Sequence, residues 1–120
     1  MTGSVVDRHL GARWRGDDYN CLHFATDVWR DLTGEDVTEG LIATMAQTTA
    51  ERRMTRRAVR AFSRLEGPQD PCLVLMRRPR SEPHVGVFMR GRVLHLTERG
   101  AEFMEPAVAS RGFKEVVYFR

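Results

Sequence analysis

Three side chains in this sequence, Cys21, His84 and His95, are of types that together perform nucleophilic catalysis. A thiol becomes a strong nucleophile when a base removes its proton, and a neutral imidazole is a suitable base. A second imidazole can hold the first in the tautomer and orientation that proton transfer needs. We therefore interpret Cys21 as a candidate nucleophile, His84 as its base and His95 as the orienting group, provided that the fold brings them together.

Cys21 is expected in the first turn of an amphipathic helix. Apolar residues recur with helical spacing over residues 21–33, with Asn20 before them as a candidate N-cap and Gly34 after them as a candidate stop. The unpaired N–H groups and the dipole at a helix N-terminus lower the pKa of a thiol placed there. The alternative interpretation is an inert thiol that serves as a small hydrophobic residue in the core.

His84 and His95 are predicted to share one face of a β-hairpin. If Arg90-Gly91 forms a two-residue turn, Gly86 lies opposite His95 and the two histidines are diagonal neighbours. Gly86 has no side chain, which leaves room for His95 to approach His84. A shift of one residue would move His95 to the other face, so this prediction depends on the turn.

Other interpretations of the same residues stay open at this stage. Two histidines and a cysteine could bind zinc, but no fourth ligand is evident, so no metal site and no cofactor are predicted. The two histidines could also be structural. Of the remaining histidines, His23 lies on the polar face of the helix and is predicted to be solvated, while His9 is given no role.

The order of the predicted elements indicates an α+β domain in which N-terminal helices pack on an antiparallel β-meander. Helices are predicted near residues 5–10, over 21–33 and over 39–65, with a break near Thr48, and strands over 72–76, 84–89, 92–96, 101–104 and 114–119. A chain of 120 residues is of the size of one domain, and we predict a single domain over residues 1–120.

Charge is distributed unevenly along the chain, although its net value is only +3. Residues 51–80 hold nine basic and three acidic side chains, and the arginines from Arg52 to Arg64 form most of this block. Such a block is typical of a solvated helix face, or of a surface that contacts nucleic acid or an anionic cell-wall polymer. No apolar stretch is long enough for a membrane span, and the N-terminus has no signal-peptide pattern. Without a signal sequence, Cys21 and Cys72 are expected to remain thiols.

The sequence resembles the NlpC/P60 family of papain-like cysteine peptidases over nearly its whole length. That family places an aromatic-Asp-Cys sequence at a helix start, His-Val-Gly-Ile/Val on a strand and a polar residue on the next strand. The corresponding segments here are Tyr19-Asn20-Cys21, His84-Val85-Gly86-Val87-Phe88 and Val93-Leu94-His95. The sequence departs from the pattern in having Asn20 for Asp, Leu22-His23 after the cysteine, and no clear upstream tyrosine, for which Tyr19 is a candidate replacement.

The resemblance implies a papain-like fold and a cysteine endopeptidase or amidase that cleaves peptidoglycan stem peptides through a Cys21 thioester. It implies His84 and His95 as the other catalytic residues and the backbone N–H of Cys21 as an oxyanion donor, with no cofactor. Synthesis in the cytoplasm and delivery to the bacterial wall by a phage tail or secretion machine would fit the missing signal, and a nucleic-acid partner is not expected. The alternatives are a non-catalytic phage-tail or assembly module that retains the fold, and a thiol acyltransferase or amidase acting on another substrate.

Overall fold

The computed structural model describes residues 2–45 and 62–120, and within them the chain forms four helices and six strands. The helices are α1 (Thr2–His9), α2 (Cys21–Thr33), α3 (Thr38–Met45) and α4 (Pro106–Ala109). The strands are β1 (Arg64–Leu65), β2 (Cys72–Arg77), β3 (His84–Met89), β4 (Arg92–Thr97), β5 (Gly100–Met104) and β6 (Glu115–Phe119). No helix in the described part of the chain is both long enough and apolar enough to cross a membrane.

The six strands form one antiparallel sheet in the order β1-β6-β2-β3-β4-β5. Strands β2 to β5 follow one another as the predicted meander. The last strand, β6, then returns to the free edge of β2, where Phe119 lies opposite Leu73. The predicted α+β class is therefore confirmed, and the sheet extends beyond a simple meander because β6 and β1 continue it on the far side of β2.

Helix α2 packs on one face of this sheet, chiefly against β3 and β4. Its buried stripe, which includes Phe24, Val28 and Trp29, meets the alternate residues of these strands that point toward it, such as Val85 and Leu94. These side chains are buried almost completely. Because the strands alternate their faces, His84, Gly86 and His95 belong to the opposite face, which also carries Val93 and is covered by Ala109 of α4.

The predicted boundaries hold for α2 and, to within one residue, for the hairpin of β3 and β4, and they differ elsewhere. The predicted helical region 39–65 begins as α3, but its last residues, Arg64-Leu65, form strand β1 beside β6. The predicted break near Thr48 and the arginines from Arg52 to Arg60 lie outside the described residues. Helix α4 was not predicted, because its four residues are too few to show helical periodicity.

The β3–β4 hairpin turns as its sequence predicts. Arg90 and Gly91 both have positive φ, 53° and 77°, which is the conformation of a tight two-residue hairpin turn. The register that follows pairs Met89 with Arg92 and Val87 with Leu94. The predicted register is therefore confirmed, and with it the placement of both histidines on one face.

Replacing Gly86 with alanine is expected to destabilise the protein, because the strands approach closely at this glycine. A Cβ there would lie 2.9 Å from Cγ1 of Val93, 3.0 Å from Cβ of His95 and 3.2 Å from the Leu94 carbonyl oxygen. We expect Gly86→Ala to lower the free energy of unfolding by about 1–3 kcal/mol, as measured by urea denaturation. Gly67→Ala is the matched control, since a Cβ at Gly67 meets nothing within 4 Å. Equal stability of the two variants would contradict this account of the close approach.

Candidate active site

An open groove crosses the N-terminal end of α2 and the beginning of β3. Cys21, His84 and His95 all line it, so the structure brings the three predicted residues to one cleft. Cys21 comes from the helix side of the sheet and His84 from the opposite face. They share the groove because Cys21 is the first residue of α2 and His84 is the first residue of β3.

Helix α2 begins with a reciprocal capping arrangement around Asn20. The Asn20 side chain accepts hydrogen bonds from the backbone N–H groups of Leu22 and His23. In return, the Asn20 backbone N–H donates to Nδ1 of His23 at 3.1 Å. The prediction of Asn20 as the N-cap is confirmed. The half-buried His23 has a role that was not predicted, since it takes the place that Glu or Gln has in a capping box. The backbone N–H of Cys21 takes no part in this cap and acts on the Cys21 sulfur.

Tyr19 packs against the capping residue His23 and does not line the groove. Its ring stacks on His23 at a centroid distance of 5.8 Å, and its hydroxyl donates to Oδ2 of Asp27 at 2.8 Å. Burial and the Asp27 carboxylate raise the pKa of Tyr19. The suggestion that Tyr19 replaces the upstream tyrosine of the family pattern is therefore wrong. The aromatic residue of this segment that does line the groove is Trp14.

His84 and His95 are in direct contact. Nε2 of His84 lies 2.7 Å from Nδ1 of His95, and the two rings meet edge to face with centroids 5.0 Å apart. Both residues line the groove, but His95 is only 4% exposed, whereas His84 is half-buried. The predicted contact between the two imidazoles is thus confirmed.

Two residues that sequence reasoning missed complete the surroundings of His84. The Phe113 ring stacks on the His84 ring at 5.9 Å with an interplanar angle of 10°, and the Arg78 guanidinium lies 4.7 Å from the Phe113 centroid. Both come from segments outside the strands, so no periodic pattern in the sequence signals them. They fix the plane of the His84 ring and place a positive charge near it.

Both imidazoles are neutral in this environment at neutral pH. Burial, the neighbouring His95 and the Arg78 charge lower the pKa of His84 from 6.5 to about 4. Burial also lowers the pKa of His95, against an opposing effect of the Glu102 carboxylate. A neutral His84 is able to accept a proton, which is the property that a general base requires.

The Cys21 thiol is shielded but borders the groove, with 7% of the residue exposed. Burial raises its pKa, and the Glu82 charge adds to this, while the backbone N–H groups of Val85, Leu22 and Cys21 act in the opposite direction. The expectation of a lowered thiol pKa is wrong, because desolvation outweighs the lowering effect of these N–H groups. At neutral pH the thiol therefore keeps its proton until a base removes it.

The described residues offer no group of three or more His, Cys, Asp or Glu side chains that could hold a metal ion. Cys72, the other cysteine, lies in the sheet away from the groove lining and is fully buried. Its sulfur accepts a hydrogen bond from the backbone N–H of Gln69 at 3.4 Å.

Comparisons with known proteins support the fold. Neither a protein-family model nor a curated protein sequence matches this chain. Among solved structures it is similar to the NlpC/p60 domain of the peptidoglycan hydrolase SagA, with a TM-score of 0.56 and 14% sequence identity. The similarity covers 98% of this chain and 94% of the SagA domain. At this identity the likeness shows the fold alone, which is the α+β fold of NlpC/P60 domains.

The stability of the protein is expected to fall as the pH decreases from about 6.5 to 4. The unfolded chain protonates His84 near its ordinary pKa, whereas the folded protein resists protonation until about pH 4. The unfolded state therefore binds more protons in this window, and the loss attributable to His84 is on the order of 3 kcal/mol. Urea denaturation at several pH values measures it, and His84→Gln should reduce the slope. An unchanged slope in the variant would contradict the assignment.

Alkylation is expected to distinguish the two cysteines. At pH 8, iodoacetamide should modify Cys21 faster than Cys72, since Cys21 borders the open groove and Cys72 has no exposed surface. Peptide mass spectrometry after timed quenching measures both rates in one sample. His84→Ala should slow only the reaction of Cys21, and faster labelling of Cys72 would contradict the placement of the two thiols.

Proposed function

We propose that this protein is a cysteine hydrolase, an endopeptidase or amidase that cleaves amide bonds in bacterial peptidoglycan stem peptides. The observation that carries the proposal is the 2.7 Å contact between His84 and His95 in the same groove as Cys21. The similar SagA domain belongs to a peptidoglycan hydrolase, which supports the choice of substrate. The proposed substrate places the site of action at the bacterial cell wall.

Proton transfer from Cys21 to His84 starts the proposed reaction. The nitrogen of His84 that accepts the proton is Nδ1, because Nε2 is already in contact with His95. For Nδ1 to be free, the neutral ring must carry its own proton on Nε2 and donate it to Nδ1 of His95. The thiol and the imidazole thus begin uncharged, and the ion pair forms as the substrate is attacked.

The thiolate of Cys21 then attacks the carbonyl carbon of the scissile amide. The negative charge that develops on the carbonyl oxygen is stabilised by the Cys21 backbone N–H, which takes no part in the Asn20 cap. The His84 imidazolium returns its proton to the leaving amine, and a thioester remains on Cys21. Water, deprotonated by His84, hydrolyses the thioester and releases the carboxylic acid and the free thiol.

The groove is suited to a polar peptide with charges of both signs. Its lining contains the cationic residues Arg78, Arg99 and Arg111, and the anionic residues Asp17, Glu82 and Glu98. Stem peptides carry both carboxylate and amine groups, so this mixed lining offers them partners of opposite charge.

A non-catalytic module with the same fold is the second candidate. The raised pKa of the buried Cys21 thiol favours it, because such a thiol is a poor nucleophile without its base. The two proposals differ in one measurable result, which is whether a bond in peptidoglycan is broken.

Mass spectrometry of muropeptides after incubation with the protein tests the hydrolase directly. We expect new stem-peptide fragments with the unchanged protein, and a loss of at least about 10³-fold in their rate of formation with Cys21→Ala. Cys72→Ala is the matched control, since it removes a thiol outside the groove and should keep activity. Circular dichroism checks that both variants fold. Identical fragment yields with and without the Cys21 thiol would remove the proposed mechanism.

A further inference from the structure

The outer nitrogen of His95 is an unusual feature of the site. Nε2 of His95 is buried and has no hydrogen-bond partner among residues 2–45 and 62–120. The ring itself is 4% exposed, so solvent reaches it poorly. A buried polar nitrogen of this kind calls for an electrostatic partner.

Glu102 is the candidate electrostatic partner of this nitrogen. It lies directly opposite His95 in the β4–β5 register, so both side chains belong to the same sheet face. His84 approaches His95 from β3 and Glu102 approaches from β5, the two strands that flank β4. His95 therefore lies between His84 on one neighbouring strand and Glu102 on the other.

Hydrogen bonds to one oxygen, Oε1, hold the Glu102 carboxylate in place. Oε1 accepts a hydrogen bond from the Thr97 hydroxyl at 2.9 Å and one from Nε of Arg99 at 3.3 Å. The Arg99 backbone N–H in turn donates to the Thr97 hydroxyl oxygen. In the described part of the chain Oε2 receives no hydrogen bond, which leaves it available to a donor on His95.

The proposed mechanism implies a proton on this outer nitrogen. If His84 donates from Nε2, then Nδ1 of His95 must be the acceptor and carry no proton. A neutral His95 then has its proton on Nε2. A nearby negative charge favours that tautomer over the one with the proton on Nδ1, which would oppose the proton of His84.

We propose that Glu102 is a positioning residue that holds His95 in the Nε2-protonated tautomer and, through it, directs the free Nδ1 of His84 toward Cys21. The inference rests on the proposed function for its catalytic consequence, but its structural content does not need an identified substrate. When His84 becomes an imidazolium, the Glu102 carboxylate also stabilises the positive charge across His95.

The charges that face the histidine pair are few. In the described residues they are Glu102 and Arg99 on the side of β5 and Arg78 beside His84. Helix α4, which covers β4, contributes the apolar residues Val108 and Ala109 to the groove lining. Of these three charged groups only Glu102 is negative. Neutralising it should therefore lower the pKa of His95.

Nitrogen-15 NMR of the histidine side chains tests the proposal without any substrate. In the unchanged protein at pH 7, His95 should appear as a neutral ring protonated on Nε2. Glu102→Gln should lower the pKa of His95 and increase the Nδ1-protonated form, while Glu105→Gln, an exposed change of the same charge, should alter neither. A wild-type His95 protonated on Nδ1 would overturn the proposal, even if Glu102→Gln failed to fold. So would unchanged histidine signals in a folded Glu102→Gln protein.

Kinetics with peptidoglycan fragments tests the catalytic consequence separately. Glu102→Gln should lower kcat about tenfold with little change in KM and shift the acidic limb of its pH profile, and Glu102→Asp should recover part of kcat. Activity equal to that of Glu105→Gln would overturn the positioning role. If the unchanged protein cleaves nothing, the proposed function fails, and the NMR result alone decides the proposal for Glu102.

Discussion

The contact between His84 and His95 is the interaction on which the rest of the site depends, and the close approach of β3 and β4 makes it possible. A side chain at Gly86 would meet Cβ of His95 at 3.0 Å, so the absence of one lets the imidazoles meet. The turn at Arg90-Gly91 sets the register that aligns them. Because one residue of slippage would move His95 to the α2 side of the sheet, the turn and the glycine matter as much to the site as the histidines.

Cys21 and His84 reach the same groove because each is the first residue of its element, α2 and β3 respectively. The sheet separates the apolar layer under α2 from the layer that holds the histidines. A cysteine in the middle of α2 would face only the apolar layer. As the first residue of the helix, Cys21 instead lies near the start of β3, where the backbone N–H of Val85 faces its sulfur and His84 begins the strand.

The hairpin and the start of α2 could be predicted from sequence because they depend on local rules. Asn20 and Gly34 mark the ends of α2, and alternation with a two-residue turn fixes the faces of His84 and His95. The pKa of Cys21 could not be predicted in this way, since burial by distant residues outweighs the helix terminus. Strand β1 was missed for a similar reason, because Arg64-Leu65 becomes a strand through its pairing with the distant β6.

The site therefore differs in character from a thiolate–imidazolium pair that exists before substrate binds. Burial raises the pKa of Cys21 and lowers the pKa of His84, and both shifts favour the uncharged forms. Separating charge between them requires stabilisation that appears when the proton moves. In the mechanism proposed above, the Cys21 backbone N–H would supply it at the developing oxyanion, and Glu102 would supply it at the His84 imidazolium by way of His95. The proposal therefore extends the chemistry of the groove to β5, which lies two strands away from His84.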